Sequence, residues 1–207
     1  MPERRLLIDN ITFISLPPDK LLLAEQNAKN NRLEGLLIQD IILQEKDGKN
    51  QNQRVYPGDI LVREVENYKK QFIENKSSFG ELDHPDTPII RLKEVSHIIT
   101  EVWWNDNLLK GDLNIIDTPN GKIAQSILRA GGRLGVSSRS LGSVEKVRNE
   151  ENEAYDKVGN DLELICWDLV SNPSVLRASF MLNEGLDKNE EILRCKKVNE
   201  IIDLILK

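Results

Sequence analysis

The two histidines of this chain, His84 and His97, are the natural starting point for its chemistry. Histidine is the side chain whose unperturbed pKa allows proton transfer near neutral pH. His84 lies in the turn-like run Gly-Glu-Leu-Asp-His-Pro at residues 80–85, and the pair Ser137-Ser138 follows far downstream in a glycine-flanked segment. A serine hydroxyl becomes a nucleophile when a base takes its proton, and that base need not be close in sequence. His84 and one of these serines are therefore a candidate catalytic pair.

Further short motifs accompany this pair in a fixed order along the chain. They are Arg54-Val55-Tyr56-Pro57, the His84 motif, Glu101-Val102-Trp103-Trp104, residues 135–143 around the serines, and residues 168–174, Asp-Leu-Val-Ser-Asn-Pro-Ser. Over roughly residues 34–180, this series resembles the prohead core (capsid maturation) serine proteases of large tailed bacteriophages. The resemblance implies an α+β, assemblin-like fold, similar to the herpesvirus proteases: a mostly antiparallel β core or barrel with flanking helices.

The resemblance also implies roles for individual residues. His84 is expected to be the general base, Ser137 the nucleophile, and Asp168 the group that orients the imidazole. Alternation along a strand would point Ser137 and Ser138 to opposite faces, so only one of them attacks. The motif selects Ser137, with Ser138 as the alternative. The alternative for Asp168 is a structural carboxylate at a strand end. His97 has no counterpart in the family motif, so it is expected to be a packed or solvent-facing strand histidine.

Basic residues near the serines are expected to contact the substrate or the oxyanion. The resemblance implies that Arg139 supports the oxyanion, directly or by fixing a donor, with Ser138 and Arg133 as further oxyanion or substrate-binding candidates. The resemblance also implies cleavage after glutamate, whose negative charge needs a cation in the substrate pocket. The candidates for that cation are Arg133, Arg139 and Lys122. One position departs from the family pattern, because Ser140 stands where the family has glycine. Ser140 would be strained if that position requires a positive φ.

The function implied by the resemblance is that of a serine endopeptidase inside the assembling phage prohead, in the host cytoplasm. Its expected partners are scaffold, major capsid and internal proteins, cut after glutamate in Leu/Ile-x-Glu sequences. No cofactor, nucleic acid or membrane is expected, and a homo-oligomer is left open. The alternative is a catalytically silent structural or scaffold protein of the same fold.

Composition is ordinary for a soluble globular protein and predicts one domain with appendages. The 207 residues can bury one substantial core, and a net charge of −6 argues against general nucleic-acid binding. No run of the sequence reaches membrane-spanning length. The two cysteines are expected to be reduced, with Cys166 in an apolar strand. Two histidines and two distant cysteines give no metal-ligand spacing, so no metal site is expected.

Local patterns predict the elements that position these residues. Strands are expected at 34–45, 95–104, 108–116, around Ser137, at 162–170 and at 175–182, and helices from Pro57 and from Thr118-Pro119. Residues 1–33 predict only short apolar pieces, and residues 150–161 a polar loop. The expected protease domain is 1–184, followed by an amphipathic tail at 185–207. Autocleavage is expected between Glu184 and Gly185, with Glu25–Gln26 as a second site.

Overall fold

The computed structural model of the chain describes residues 3–171. Within them lie ten strands and three α-helices. The strands are β1 (Arg5–Ser15), β2 (Leu36–Glu45), β3 (Arg54–Val55), β4 (Phe79–Glu81), β5 (Val95–Asn105), β6 (Leu108–Ile115), β7 (Arg133–Gly142), β8 (Val144–Arg148), β9 (Ala154–Val158) and β10 (Glu163–Val170). The helices are α1 (Pro18–Asn30), α2 (Gly58–Tyr68) and α3 (Pro119–Arg129). No helix of this part of the chain is long and apolar enough to cross a membrane.

The strands form three sheets, and nearly all neighbouring strands are antiparallel. The first sheet has the order β1-β7-β10, the second β2-β6-β5-β4, and the third β3-β9-β8, in which β3 and β9 are parallel. An isolated parallel bridge, Leu82 to Leu169, connects the ends of β4 and β10. The prediction of an antiparallel β core with flanking helices is therefore confirmed.

The two helices predicted from sequence begin at or directly after the prolines that predicted their starts. Pro57 is the residue before α2, and its buried residues Ile60, Leu61, Val65 and Tyr68 recur at helical spacing. A π-helical turn, Lys69–Ile73, continues this helix. Thr118 caps α3, because its side-chain oxygen accepts the Gly121 N–H at 3.0 Å. Both predictions of helix starts are confirmed.

Two segments differ from the sequence expectation. Residues 1–33 contain the long strand β1 and the helix α1, and the polar loop at 150–161 contains β9. β1 includes the polar residues Asp9 and Thr12, both buried, which hide the apolar alternation of a half-buried strand. β9 forms because β8 and β3 supply its backbone partners on both sides. In each case pairing with distant strands overrides the local pattern.

The predicted cleavage sites have different outcomes. The Glu25–Gln26 bond lies inside α1, where Glu25 pairs with Arg129 at 3.2 Å, so cleavage there would require the helix to unwind. The other expectations for the C-terminal part are the strand at 175–182, the domain boundary at 184, the Glu184–Gly185 site and the tail helix. All of them lie outside the described residues.

The centre of the core is the fully buried Trp167 of β10. Its indole N–H donates to the Leu43 carbonyl of β2 at 2.8 Å, and its ring meets Tyr68 of α2 edge-on at 5.0 Å between centroids. One side chain thus connects the first sheet, the second sheet and α2. Because Asp168 follows Trp167 and points to the opposite face of β10, this anchor fixes the strand that carries Asp168.

Gly80 brings the His84 motif into close contact with the core. His97 of β5 is fully buried, and its Nε2 lies 3.0 Å from the Trp167 carbonyl oxygen. A Cβ at position 80 would collide with both His97 Nε2 and that same carbonyl oxygen. Only glycine fits between them, so its place in the motif has a packing cause. His97 is thereby assigned to the core, one of the two alternatives that the sequence left open.

We predict that His97 makes the stability of the fold depend on pH. Burial lowers the pKa of His97 to about 4 from its ordinary value of 6.5. As pH falls below 6.5, the unfolded state takes up the proton first, so the free energy of unfolding falls until about pH 4. Urea unfolding of wild type should lose about 2 kcal/mol more between pH 7 and pH 5 than unfolding of His97→Gln does. An equal loss in both proteins would contradict this assignment.

Candidate active site

His84 is placed by a tightly held turn directly after β4. The N–H of the preceding residue, Asp83, donates to the Leu169 carbonyl of β10 at 2.8 Å. Asp83 has a φ of 63°, which the short polar side chain of aspartate tolerates. The imidazole of His84 is about one-sixth exposed, and its Nδ1 lies 2.9 Å from Asp168 Oδ2. The turn therefore brings the ring onto the carboxylate of β10.

Asp168 is fully buried and surrounded by donors. Its Oδ1 accepts the Glu81 backbone N–H at 3.0 Å, and Arg139 Nε lies 3.0 Å from its Oδ2. Burial alone would raise the pKa of this carboxyl. The hydrogen bond from His84, the charge of Arg139 and the Glu81 N–H outweigh that effect, so the pKa of Asp168 lies below its ordinary value. The group is a carboxylate at neutral pH, as an orienter of histidine must be.

Ser137 lies directly opposite Asp168 in the pairing of β7 with β10. Directly paired residues of antiparallel strands project to the same face, with Cα atoms about 4.5–5.5 Å apart. Among the described residues, neither Ser137 Oγ nor His84 Nε2 has a hydrogen-bond partner, and both atoms are buried. When Nδ1 donates to Asp168, Nε2 of the neutral ring keeps the lone pair that can accept a hydroxyl proton. The structure thus brings Ser137, Asp168 and His84 to one face of the sheet.

Ser138 projects to the opposite face of β7. Its pairing partners are Asp9 of β1 and Trp167 of β10. Asp9 is buried and accepts Arg54 Nη1 at 2.6 Å as well as the Tyr56 hydroxyl. Ser138 therefore faces the Asp9 cluster, on the opposite side of β7 from Ser137, and its buried Oγ has no hydrogen-bond partner among the described residues. Arg54 and Tyr56, which come from one of the family-like motifs, thus support the back of the strand that carries Ser137.

Ser140, which stands in the family's glycine position, lies in β7 and is not among the residues with positive φ. Ser140 therefore does not have the backbone strain that a positive φ would have caused.

Arg139 is fully buried, and its guanidinium N–H groups donate to groups inside the protein. Nη2 donates to Glu81 Oε2 at 2.5 Å, Nη1 donates to the Thr87 carbonyl at 2.9 Å, and Nε and Nη2 contact the Cys166 sulfur at 3.3 and 3.1 Å. This arrangement does not support the expected direct contact with an oxyanion. Arg139 instead holds Asp168 and the loop that carries His84.

Arg133 and Lys122 stand apart from these residues. Arg133 is exposed at the start of β7, on the same face as Ser137, and its guanidinium lies over the Phe13 ring at 4.9 Å. Lys122 is exposed on α3. Neither contacts His84 or Asp168 in the described structure.

Two residues of the site were missed by the sequence interpretation. Glu81, quoted within the His84 motif without a role, is fully buried and bound to Arg139. Cys166, expected only to be a reduced thiol in an apolar strand, donates to Asp168 Oδ1 at 3.3 Å, and burial raises the pKa of its thiol well above the ordinary range. Its spacing of two residues from Asp168 along a strand was the available signal. Within residues 3–171, no group of three His, Cys, Asp or Glu residues could hold a metal ion.

Comparison with known proteins gives a consistent result. A family model described as prohead core protein serine protease matches residues 16–187. The prohead core protein protease of Enterobacteria phage T4 is 35% identical over 144 residues, which cover 68% of this chain and 65% of that relative, just under two thirds of its length. The solved structure of the bacteriophage T4 capsid assembly protease, gp21, is similar at a TM-score of 0.65 and 28% identity, over 83% of this chain and 99% of that one.

The sequence motifs, the antiparallel fold and the family match thus agree over most of the described residues. The chain belongs to the prohead core protein serine protease family.

Proposed function

We propose that this protein is a serine endopeptidase with Ser137 as nucleophile, His84 as general base and Asp168 as the orienting carboxylate. The observation that carries the proposal is the pairing of Ser137 with Asp168 across β7 and β10, with Asp168 bound to His84 Nδ1 at 2.9 Å. This order of carboxylate, imidazole and hydroxyl is what acyl transfer by serine requires.

The reaction would proceed in two acyl-transfer steps. Ser137 Oγ attacks the scissile carbonyl carbon while His84 Nε2 takes the hydroxyl proton, and Asp168 stabilises the resulting imidazolium. The imidazolium then donates that proton to the leaving amine, and the peptide bond breaks to leave an ester on Ser137. Water attacks the ester with His84 as base, which releases the acid and restores the hydroxyl.

The proposed substrates are the scaffold, major capsid and internal proteins of a phage prohead in the host cytoplasm. The family description and the names of the two T4 relatives support this role in capsid maturation. The proposal includes cleavage after glutamate in Leu/Ile-x-Glu sequences. It also includes self-cleavage at Glu184–Gly185. The choice between a monomer and a homo-oligomer is left open.

An assemblin-like closed barrel is part of the same proposal. The bridge from Leu82 to Leu169 links the edge strand β4 of the second sheet to the edge strand β10 of the first. The other two edge strands of these sheets, β1 and β2, are in contact. Joining both pairs would close seven strands in the order β1-β7-β10-β4-β5-β6-β2, which leaves no free edge.

Arg133 is the cation best placed to receive the substrate glutamate. Arg139 is occupied by Glu81 and Asp168, whereas Arg133 lies four residues from Ser137 on the same face, about 13 Å along the strand. Its guanidinium lies over Phe13, whose pairing partner is Gly135, between Arg133 and Ser137. An extended arginine and an extended glutamate together bridge such a gap.

The nucleophile can be tested by paired alanine variants on Leu-x-Glu peptides. Ser137→Ala should lower kcat by ~10⁴–10⁶, as expected for the loss of one member of a nucleophilic unit. Ser138→Ala is the matched control, because its side chain faces the Asp9 cluster, and it should keep most of the activity. Cleavage followed by mass spectrometry measures both. Loss of activity in Ser138→Ala alone would move the nucleophile by one residue, and no cleavage by wild type would favour the silent structural protein.

The role of Arg133 can be tested by substrate selectivity. Arg133→Gln should lower kcat/KM for Leu-x-Glu peptides by ~10- to 100-fold while leaving Leu-x-Gln peptides nearly unaffected, because a charge-assisted pair is lost. Lys122→Gln, also exposed and basic, serves as control and should keep the preference. The assignment is wrong if the preference survives in Arg133→Gln or disappears in Lys122→Gln.

A further inference from the structure

Glu81 is a buried carboxylate inside the site, and neither the motif nor the triad explains it. Its Oε2 accepts Arg139 Nη2 at 2.5 Å, and its Oε1 accepts the Arg91 backbone N–H at 2.8 Å. Glutamate is almost never fully buried unless it is paired. We propose that Glu81 is a positioning residue that neutralises Arg139, so that the charge of Asp168 remains available to the His84 imidazolium. This inference rests on the proposed function, because it assumes that His84 takes up the serine proton.

The balance of charges around Arg139 is the first observation that supports this role of Glu81. Its guanidinium lies between the carboxylates of Glu81 and Asp168, at 2.5 and 3.0 Å, and all three side chains are at most 1% exposed. With His84 neutral, the buried group holds one positive and two negative charges. Proton uptake by His84 therefore brings the group to neutrality, which favours the imidazolium in a site of low dielectric.

Without the Glu81 carboxylate, the same proton uptake would be less favourable. Arg139 and Asp168 would already cancel each other, and the imidazolium would become the unbalanced charge. A buried charge without compensation is costly. Glu81 would thus act through Arg139 on the step in which Ser137 is deprotonated, without touching the substrate.

The other ionisable groups around the cluster do not replace Glu81. Arg91 Nε lies 3.7 Å from Glu81 Oε1, but its side chain is about half exposed, so water screens it. The Cys166 thiol stays neutral because burial raises its pKa, and His97 stays neutral above a pKa of about 4. The remaining carboxylates on the His84 loop, Asp83 and Asp86, are exposed.

Glu81 also fixes the loop that carries His84. Its own N–H donates to Asp168 Oδ1 at 3.0 Å, and its carboxylate holds the far end of the loop through the Arg91 N–H. Arg139, which it positions, binds the middle of the loop at the Thr87 carbonyl, 2.9 Å away. One side chain therefore contributes both the charge balance and the loop geometry, and the two contributions can be separated by experiment.

The test compares Glu81→Gln with wild type by two measurements. The pH profile of kcat/KM should show its acid limb moved to lower pH by about one unit, because a negative charge near the imidazole is removed. At the optimum, kcat should fall at least ~10-fold with KM nearly unchanged. Nitrogen-15 NMR of the imidazoles should show the same downward move in the titration of His84. The chain has only two histidines, and the buried His97 provides the internal reference.

Two further variants separate charge from packing. Glu81→Asp keeps the charge but shortens the side chain, so kcat should fall while the acid limb and the His84 titration stay at their wild-type pH. This arm remains informative if Glu81→Gln does not fold. Glu64→Gln is the matched control, because Glu64 is also buried but pairs with Arg63 on α2 at 2.8 Å and not with Arg139. It should leave both measurements unchanged.

The outcomes distinguish this inference from the proposed function. The role of Glu81 would be overturned if the acid limb and the His84 titration did not move in Glu81→Gln. It would also be overturned if both moved down equally in Glu81→Asp and Glu81→Gln. Absence of Ser137-dependent cleavage by wild type would overturn the proposed function instead. In that case the imidazole titration still decides whether Glu81 sets the charge balance at His84.

Discussion

The buried guanidinium of Arg139 is the interaction on which the rest of the site depends. It extends from β7, contacts Asp168 of β10, and binds Glu81 and Thr87 on the two sides of His84. Three segments that are far apart in sequence therefore meet at one charge. Removing one partner of such a buried pair typically costs about 3–5 kcal/mol, because the remaining charge is left uncompensated. The geometry of the proposed catalytic residues is thus tied to the stability of the fold.

A second constraint, close packing at Gly80, sets the distance between this charge cluster and the core. The His97–Trp167 contact passes directly beside the glycine, and Trp167 is itself anchored to β2 through the Leu43 carbonyl. Trp167 and Asp168 are neighbours with opposite orientations, so the core fixes the strand and the strand fixes the carboxylate. Gly80, Trp167 and Asp168 together hold His84 over the face that carries Ser137.

The sequence predicted the elements whose signal is local and missed the features that depend on distant pairing. The helix after Pro57, the cap at Thr118 and the strands β5 and β6 follow from short patterns. β1 was missed because its polar residue Asp9 is buried and finds its partner, Arg54, far along the chain. The burial of Glu81 could not be predicted for the same reason, since its partner lies 58 positions further along the chain. The motif had already favoured Ser137 over Ser138, but the pairing of Ser137 with Asp168 is a matter of strand register, which sequence alone leaves open.

The central claim is that His84 activates Ser137, and covalent labelling tests it most directly. The full chain would be treated with a serine-reactive fluorophosphonate, and the adduct located by peptide mass spectrometry. The account predicts one adduct on Ser137 in wild type, strongly reduced in His84→Ala because the hydroxyl then lacks its base. An adduct on Ser138, equal labelling of Ser137 with and without His84, or no adduct in protein that cleaves peptides would contradict it.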